Sequence, residues 1–103
     1  MDIQLLYFEG CPHWQTALEN LRTALQQAKL EWPVELVKVE DDETASRLKF
    51  LGSPSIHVNG TDLWPEEQQQ YSLSCRLYHT PEGPKGSPSV SMLRQAFQHL
   101  ESD

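Results

Sequence analysis

The chain has 103 residues, 38 % apolar and 22 % charged, the composition of one globular domain with a modest core. No apolar run approaches the ~20 residues that span a bilayer, and Asp2 leads into a strand pattern rather than a basic leader, so neither a membrane span nor a signal peptide is expected. The formal net charge of −7 argues against nucleic acid and anionic membranes as partners, because phosphate binding needs a surplus of Lys and Arg.

Ile3, Leu5, Leu6, Tyr7 and Phe8 read as a first strand. Trp14, Ala17, Leu18, Leu21, Leu25 and Ala28 then recur at helical spacing. The first helix is expected from about Pro12 to Leu30, with Pro12 in its first turn and Trp32-Pro33 stopping it. Val34, Leu36, Val37 and Val39 form a second strand. Asp41 and Asp42 suit the cap of a short helix carrying Ala45 and Leu48, ended by Gly52. Ser53-Pro54 leads into a short strand, Ser55 to Val58. Asn59-Gly60 is a strong hairpin signal, which makes Thr61 to Trp64 the return strand. Residues 65–87, rich in Pro and Gly, read as an insertion with a hairpin around Pro81-Glu82-Gly83. Pro88 and Ser89 open a last helix with Val90, Leu93, Ala96, Phe97 and Leu100 on one face.

The expected fold is therefore α/β, in the order β-α-β-α-β-β-α with an insertion at about 65–87. A right-handed crossover makes the first two strands parallel. The hairpin completes a four-stranded mixed sheet with helices on both faces.

The chemistry centres on Gly10-Cys11-Pro12-His13-Trp14, at a strand-to-helix junction. Unpaired N–H groups and the positive dipole end at a helix start favour a thiolate. Cys11, whose position suits an exposed thiolate, is the first candidate nucleophile; the competing reading is a small residue at a tight turn. His13 reads as a solvated histidine or as an aid to the thiol. Trp14 reads as the start of the apolar stripe or as an aromatic wall beside the sulfur.

Cys75 is the second candidate. A disulfide needs Cα atoms within ~7 Å. If Thr61 to Trp64 is the return strand, the chain comes back toward Cys11 and Cys75 lies over it. If Arg76 to Tyr78 is the sheet strand instead, several residues at ~3.3 Å each separate the two sulfurs. A buried, inert cysteine is the third reading. The Cys and His spacings match no zinc site, and neither a metal nor a resident cofactor is expected. Gly83-Pro84-Lys85-Gly86-Ser87 lacks the phosphate-loop pattern and reads as a turn.

With these residues the chain resembles the thioredoxin-like superfamily in its minimal, glutaredoxin-type form, over residues 1–64 and 88–100. Cys11 falls where that family keeps its nucleophilic cysteine. Ser53-Pro54 falls where it keeps a cis-proline, and the residue before that proline offers backbone groups to a bound peptide or glutathione. The chain departs from the dithiol pattern: Trp14 stands in place of the second cysteine. No basic residue is evident beside Cys11 for the glutathione carboxylates. Gly10 to Pro12, Gly52 to Pro54 and Ser74 to Tyr78 are also similar to short bacterial thioredoxin-like proteins, some of them labelled as similar to organomercurial lyase.

With no leader expected, the default location is the cytoplasm, where thiols stay reduced; the resemblance implies a thiol–disulfide exchange protein, a possible oxidoreductase, with a protein or a small thiol or disulfide such as glutathione as its partner. Cys11 and Cys75 are its expected reactive thiols, and Pro12, His13, Trp14, Ser53 and Pro54 its expected binding residues. Two alternatives stand beside it. One is a redox-inactive binding module that uses the cis-proline groove. The other is thiol capture of a soft metal, extending to an organomercurial lyase, in which both thiolates hold one ion.

Overall fold

The computed structural model describes residues 1–67 and 70–101; Gln68 and Gln69, inside the expected insertion, lie outside the described residues. A four-stranded mixed sheet and three helices form the body. The elements run β1 (Ile3–Tyr7), α1 (Trp14–Gln27), β2 (Val34–Lys38), α2 (Asp42–Leu48), β3 (Ser55–Val58), β4 (Thr61–Asp62), β5 (Tyr78–Thr80), β6 (Gly83–Lys85) and α3 (Val90–Glu101).

The sheet order is β2-β1-β3-β4. β1 runs parallel to β2, with Ile3 opposite Val34 and Tyr7 opposite Lys38. It runs antiparallel to β3, with Ile3 opposite Val58 and Leu6 opposite Ser55. β3 turns into β4 through Asn59 and Gly60, both at positive φ (52° and 85°), the backbone that a tight two-residue hairpin requires.

Because side chains alternate along a strand, β1 feeds two cores. Ile3 and Leu5 pack with Ile56 and Val58 against α1 and α3, through Ala17, Leu21, Leu93 and Phe97. Leu6 points to the other face and meets Val39, Ala45 and Phe50 beside α2.

Three helix limits differ from the sequence reading. α1 starts at Trp14 rather than at Pro12, because residues 12 and 13 form a turn and His13 caps the helix. It ends at Gln27 because Lys29 turns left-handed (φ 58°). The N–H groups of Lys29 and Leu30 close back onto the Gln26 and Leu25 carbonyls, the paired bonds that satisfy a helix C-terminus. Lys49 (φ 54°) ends α2 in the same way, three residues before Gly52. The expected cap at α2 is present: Asp41 Oδ1 accepts the Thr44 N–H at 2.7 Å.

Outside the main sheet, β5 and β6 pair antiparallel around Pro81-Glu82. Thr80 Oγ1 accepts the Glu82 N–H and donates to the Gly83 carbonyl. Ser89 Oγ accepts the Met92 N–H ahead of α3. Among the described residues no helix is long and apolar enough to cross a membrane.

Candidate functional site

The chain leaves β1 at Tyr7 and turns at once: the Cys11 N–H closes onto the Phe8 carbonyl at 3.1 Å. This turn places Cys11 beside the start of β3. Its thiol Sγ lies 3.6 Å from the Ser53 carbonyl oxygen and donates to it. The Ser53-Pro54 bond is cis, as the resemblance implied. Ser53 also faces the end of β1, with its Oγ 3.4 Å from the Phe8 N–H.

Two expectations about Cys11 are corrected here. It precedes a turn rather than opening the helix, and it is 4 % exposed where an accessible thiolate was expected. The Phe8-to-His13 turn and the Ser53 backbone enclose it.

The residues after Cys11 do separate things. Pro12 is exposed in the turn. The exposed His13 ring lies against Gly86: a Cβ built there would come within 2.2 Å of His13 Cδ2. Gly86, read from the sequence as part of a plain turn, is thus a close-approach glycine. Trp14 stacks on Tyr7, centroids 4.3 Å apart and planes 23° apart, and joins the α1–α3 core, which is the packing reading.

Cys75 arrives alongside Ser53. The Ser53 N–H donates to the Ser74 carbonyl at 2.7 Å, and the Arg76 N–H donates to the Ser53 carbonyl at 3.0 Å. Cys75 therefore stands opposite Ser53 in a parallel bridge. One carbonyl, that of Ser53, receives both the Cys11 thiol and the Arg76 amide. Arg76 to Tyr78 is not a strand of the main sheet, and Thr61–Asp62 pairs with β3 as the return strand. Both cysteines are free; Cys75 is exposed and Cys11 is buried. The Ser53 backbone, expected to be open to a partner, is engaged by the chain's own segment.

That segment is held by a buried cation. Arg76 Nη1 lies 2.7 Å from Asp62 Oδ2 and 3.2 Å from Ser55 Oγ, and Nη2 lies 2.7 Å from the Trp64 carbonyl. Its guanidinium stands 4.9 Å from the centre of the Tyr78 ring, within range of a cation–π contact. The Tyr78 hydroxyl donates to the Pro54 carbonyl, and burial pushes its pKa well up. Gly52, at φ 117°, lets Arg76 approach: a Cβ there would sit 3.0 Å from Arg76 Cβ.

His57, next along β3, has its Nε2 3.7 Å from Asp62 Oδ2, too long for a hydrogen bond. This atom is buried without a hydrogen-bond partner. Burial lowers the His57 pKa, the Arg76 charge lowers it further, and Asp62 opposes both.

Asp62, Arg76, Tyr78, His57 and Gly52 were not singled out from the sequence as site-forming. The signal was Arg76 and Tyr78 at alternate positions in a segment that is otherwise exposed.

A cavity of about 340 Å³ lies beside the Cys11 turn, lined by Phe8, Glu9, Gly10, Lys38, Val39 and Leu73. Lys38 is the basic residue of this lining, and Glu9 pairs with it at 2.9 Å. Among the described residues no three His, Cys, Asp or Glu side chains come together as a metal site. No family model, curated protein or solved structure matches the chain.

Proposed function

We propose that the chain is a thioredoxin-like thiol–disulfide exchange protein of the cytoplasm, with Cys11 as the attacking thiol and Cys75 as the resolving one. The observation that carries this reading is the Ser53 peptide: its carbonyl accepts the Cys11 thiol at 3.6 Å, and Cys75 faces it in the bridge. The parallel β1–β2 pair, the antiparallel β3 beside them and the cis-proline at its head support the fold reading.

In this chemistry the Cys11 thiolate attacks one sulfur of a substrate disulfide. A mixed disulfide forms and the substrate's other sulfur leaves as a thiolate, taking up a proton. The Cys75 thiolate then attacks the Cys11 sulfur. The second substrate thiol leaves, and a Cys11–Cys75 disulfide remains. Two protein thiols have been oxidised and one substrate disulfide reduced. An external thiol such as glutathione is the alternative resolving group.

The burial of Cys11 favours a second reading, a binding module that uses the same groove without redox turnover. The deciding experiment equilibrates the reduced protein in a glutathione redox buffer and reads its intact mass. Loss of two hydrogens supports the two-thiol reading. A glutathione adduct on Cys11 leaves single-thiol exchange. An unmodified chain favours the binding module.

A further inference from the structure

We propose that residues 73–76 occupy the place of an extended partner peptide, and that this strap displays the pattern the partner carries: an apolar residue, any residue, then cysteine. The inference rests on the reading of Ser53 as the docking residue.

The strap binds as a peptide adding to a sheet edge binds, through the main chain. The Ser53 N–H goes to the Ser74 carbonyl, and Cys75 stands opposite Ser53. Two residues earlier, Leu73 forms one wall of the cavity that Phe8 and Gly10 line beside Cys11. An incoming segment in this register puts its own cysteine opposite Ser53, the residue whose carbonyl takes the Cys11 thiol, and an apolar side chain in that cavity.

The strap is held unequally along its length. Arg76 and Tyr78 are buried and fixed by Asp62, Ser55, Trp64 and Pro54. On the other side of Cys75, Leu73 is 38 % exposed. The Leu73 N–H reaches Asp42 Oδ1 at 3.4 Å in an exposed hydrogen bond. Exposed hydrogen bonds and few buried contacts mark a segment that opens locally. Tyr71 packs against the Leu6, Val39, Ala45 and Phe50 core on one side and Arg76 is buried on the other, so the exposed stretch 72–75 between these two anchors is the part that opens. The Ser53 N–H changes hands from Ser74 to the partner, while the Ser53 carbonyl keeps Arg76.

Two measurements test this, both independent of redox turnover. In hydrogen exchange on the unmodified protein, the Ser53 amide is expected to exchange at least ~10-fold faster than the Arg76 and Val39 amides, as a local opening requires. Equal protection of the three overturns the inference. The second uses a labelled peptide copying residues 71–78 with serine at the cysteine position. It is titrated by anisotropy into Cys11→Ser/Cys75→Ser protein, with and without the exposed changes Ser72→Gly and Leu73→Gly. Loosening the strap is expected to tighten binding ~10-fold, because the competent fraction rises. Equal binding to both forms, or to neither, overturns the inference. Peptide binding together with full exchange activity in Cys11→Ser protein would remove the thiol chemistry and leave the docking mode standing.

Discussion

Arg76 Nη1 lies 2.7 Å from Asp62 Oδ2, and each side chain is only 6 % exposed. This pair ties the 65–87 segment to β4 and sets where Cys75 stands. Removing one partner leaves a buried charge uncompensated, at a cost of about 3–5 kcal/mol. Arg76→Ala is expected to lose that much in urea unfolding. The double change Arg76→Met/Asp62→Leu is expected to lose less. A loss below about 1 kcal/mol for Arg76→Ala, the range of a surface pair, would mean that Arg76 is not the anchor.

His57 carries a pH signature. Its pKa lies below the ordinary 6.5 in the folded chain, chiefly through burial. The unfolded chain takes up the proton first as pH falls. Stability therefore declines as pH drops below about 6.5 and levels off under the folded pKa, with each unit of separation worth about 1.36 kcal/mol. Urea midpoints of wild type and His57→Gln between pH 7.5 and 5 check this. The variant is expected to show the shallower slope, and equal slopes would contradict it.

The two thiols make different predictions. Cys11→Ser is expected to reduce disulfide exchange to background. Cys75→Ser is expected to keep the first attack and to stop at the mixed disulfide, so intact mass in glutathione buffer reads an adduct rather than the loss of two hydrogens. Turnover unchanged in both variants would remove both cysteines from the chemistry.

Gly86 makes room for the His13 ring, so Gly86→Ala is expected to cost about 1–3 kcal/mol by overpacking. His13→Ala removes the obstacle. A double-mutant cycle is expected to recover most of the loss; simple additivity would show that the ring moves aside freely.

The body of the fold was legible where pattern and burial agree. Ile3, Leu5 and Leu6 alternate, the α1 and α3 stripes keep helical period, and Asn59-Gly60 announces its hairpin. Both α1 and α2 were read too long at their C-terminal ends because lysines, Lys29 and Lys49, take the left-handed position that the rule assigns to glycine. The site was less legible. Cys75 finds its place through Arg76 and Asp62, fourteen residues apart, and such a pairing has no local signature. The burial of Cys11 depends on Ser53, forty-two residues away. The role of Gly86 needs His13, far back along the chain.

Each of the three tryptophans meets the ring of a different element. Trp14 lies on Tyr7 at the Cys11 end, Trp32 meets Phe97 of α3 edge-on at 5.5 Å, and Trp64 meets Tyr78 of β5 edge-on at 5.5 Å. The chain thus carries three built-in optical reporters on three regions. Fluorescence from a protein that keeps Trp64 alone follows the β5 attachment, while one that keeps Trp14 alone follows the start of α1, three residues after Cys11. Movement of the β5 attachment and of the α1 start can then be timed separately without attaching a dye to either cysteine.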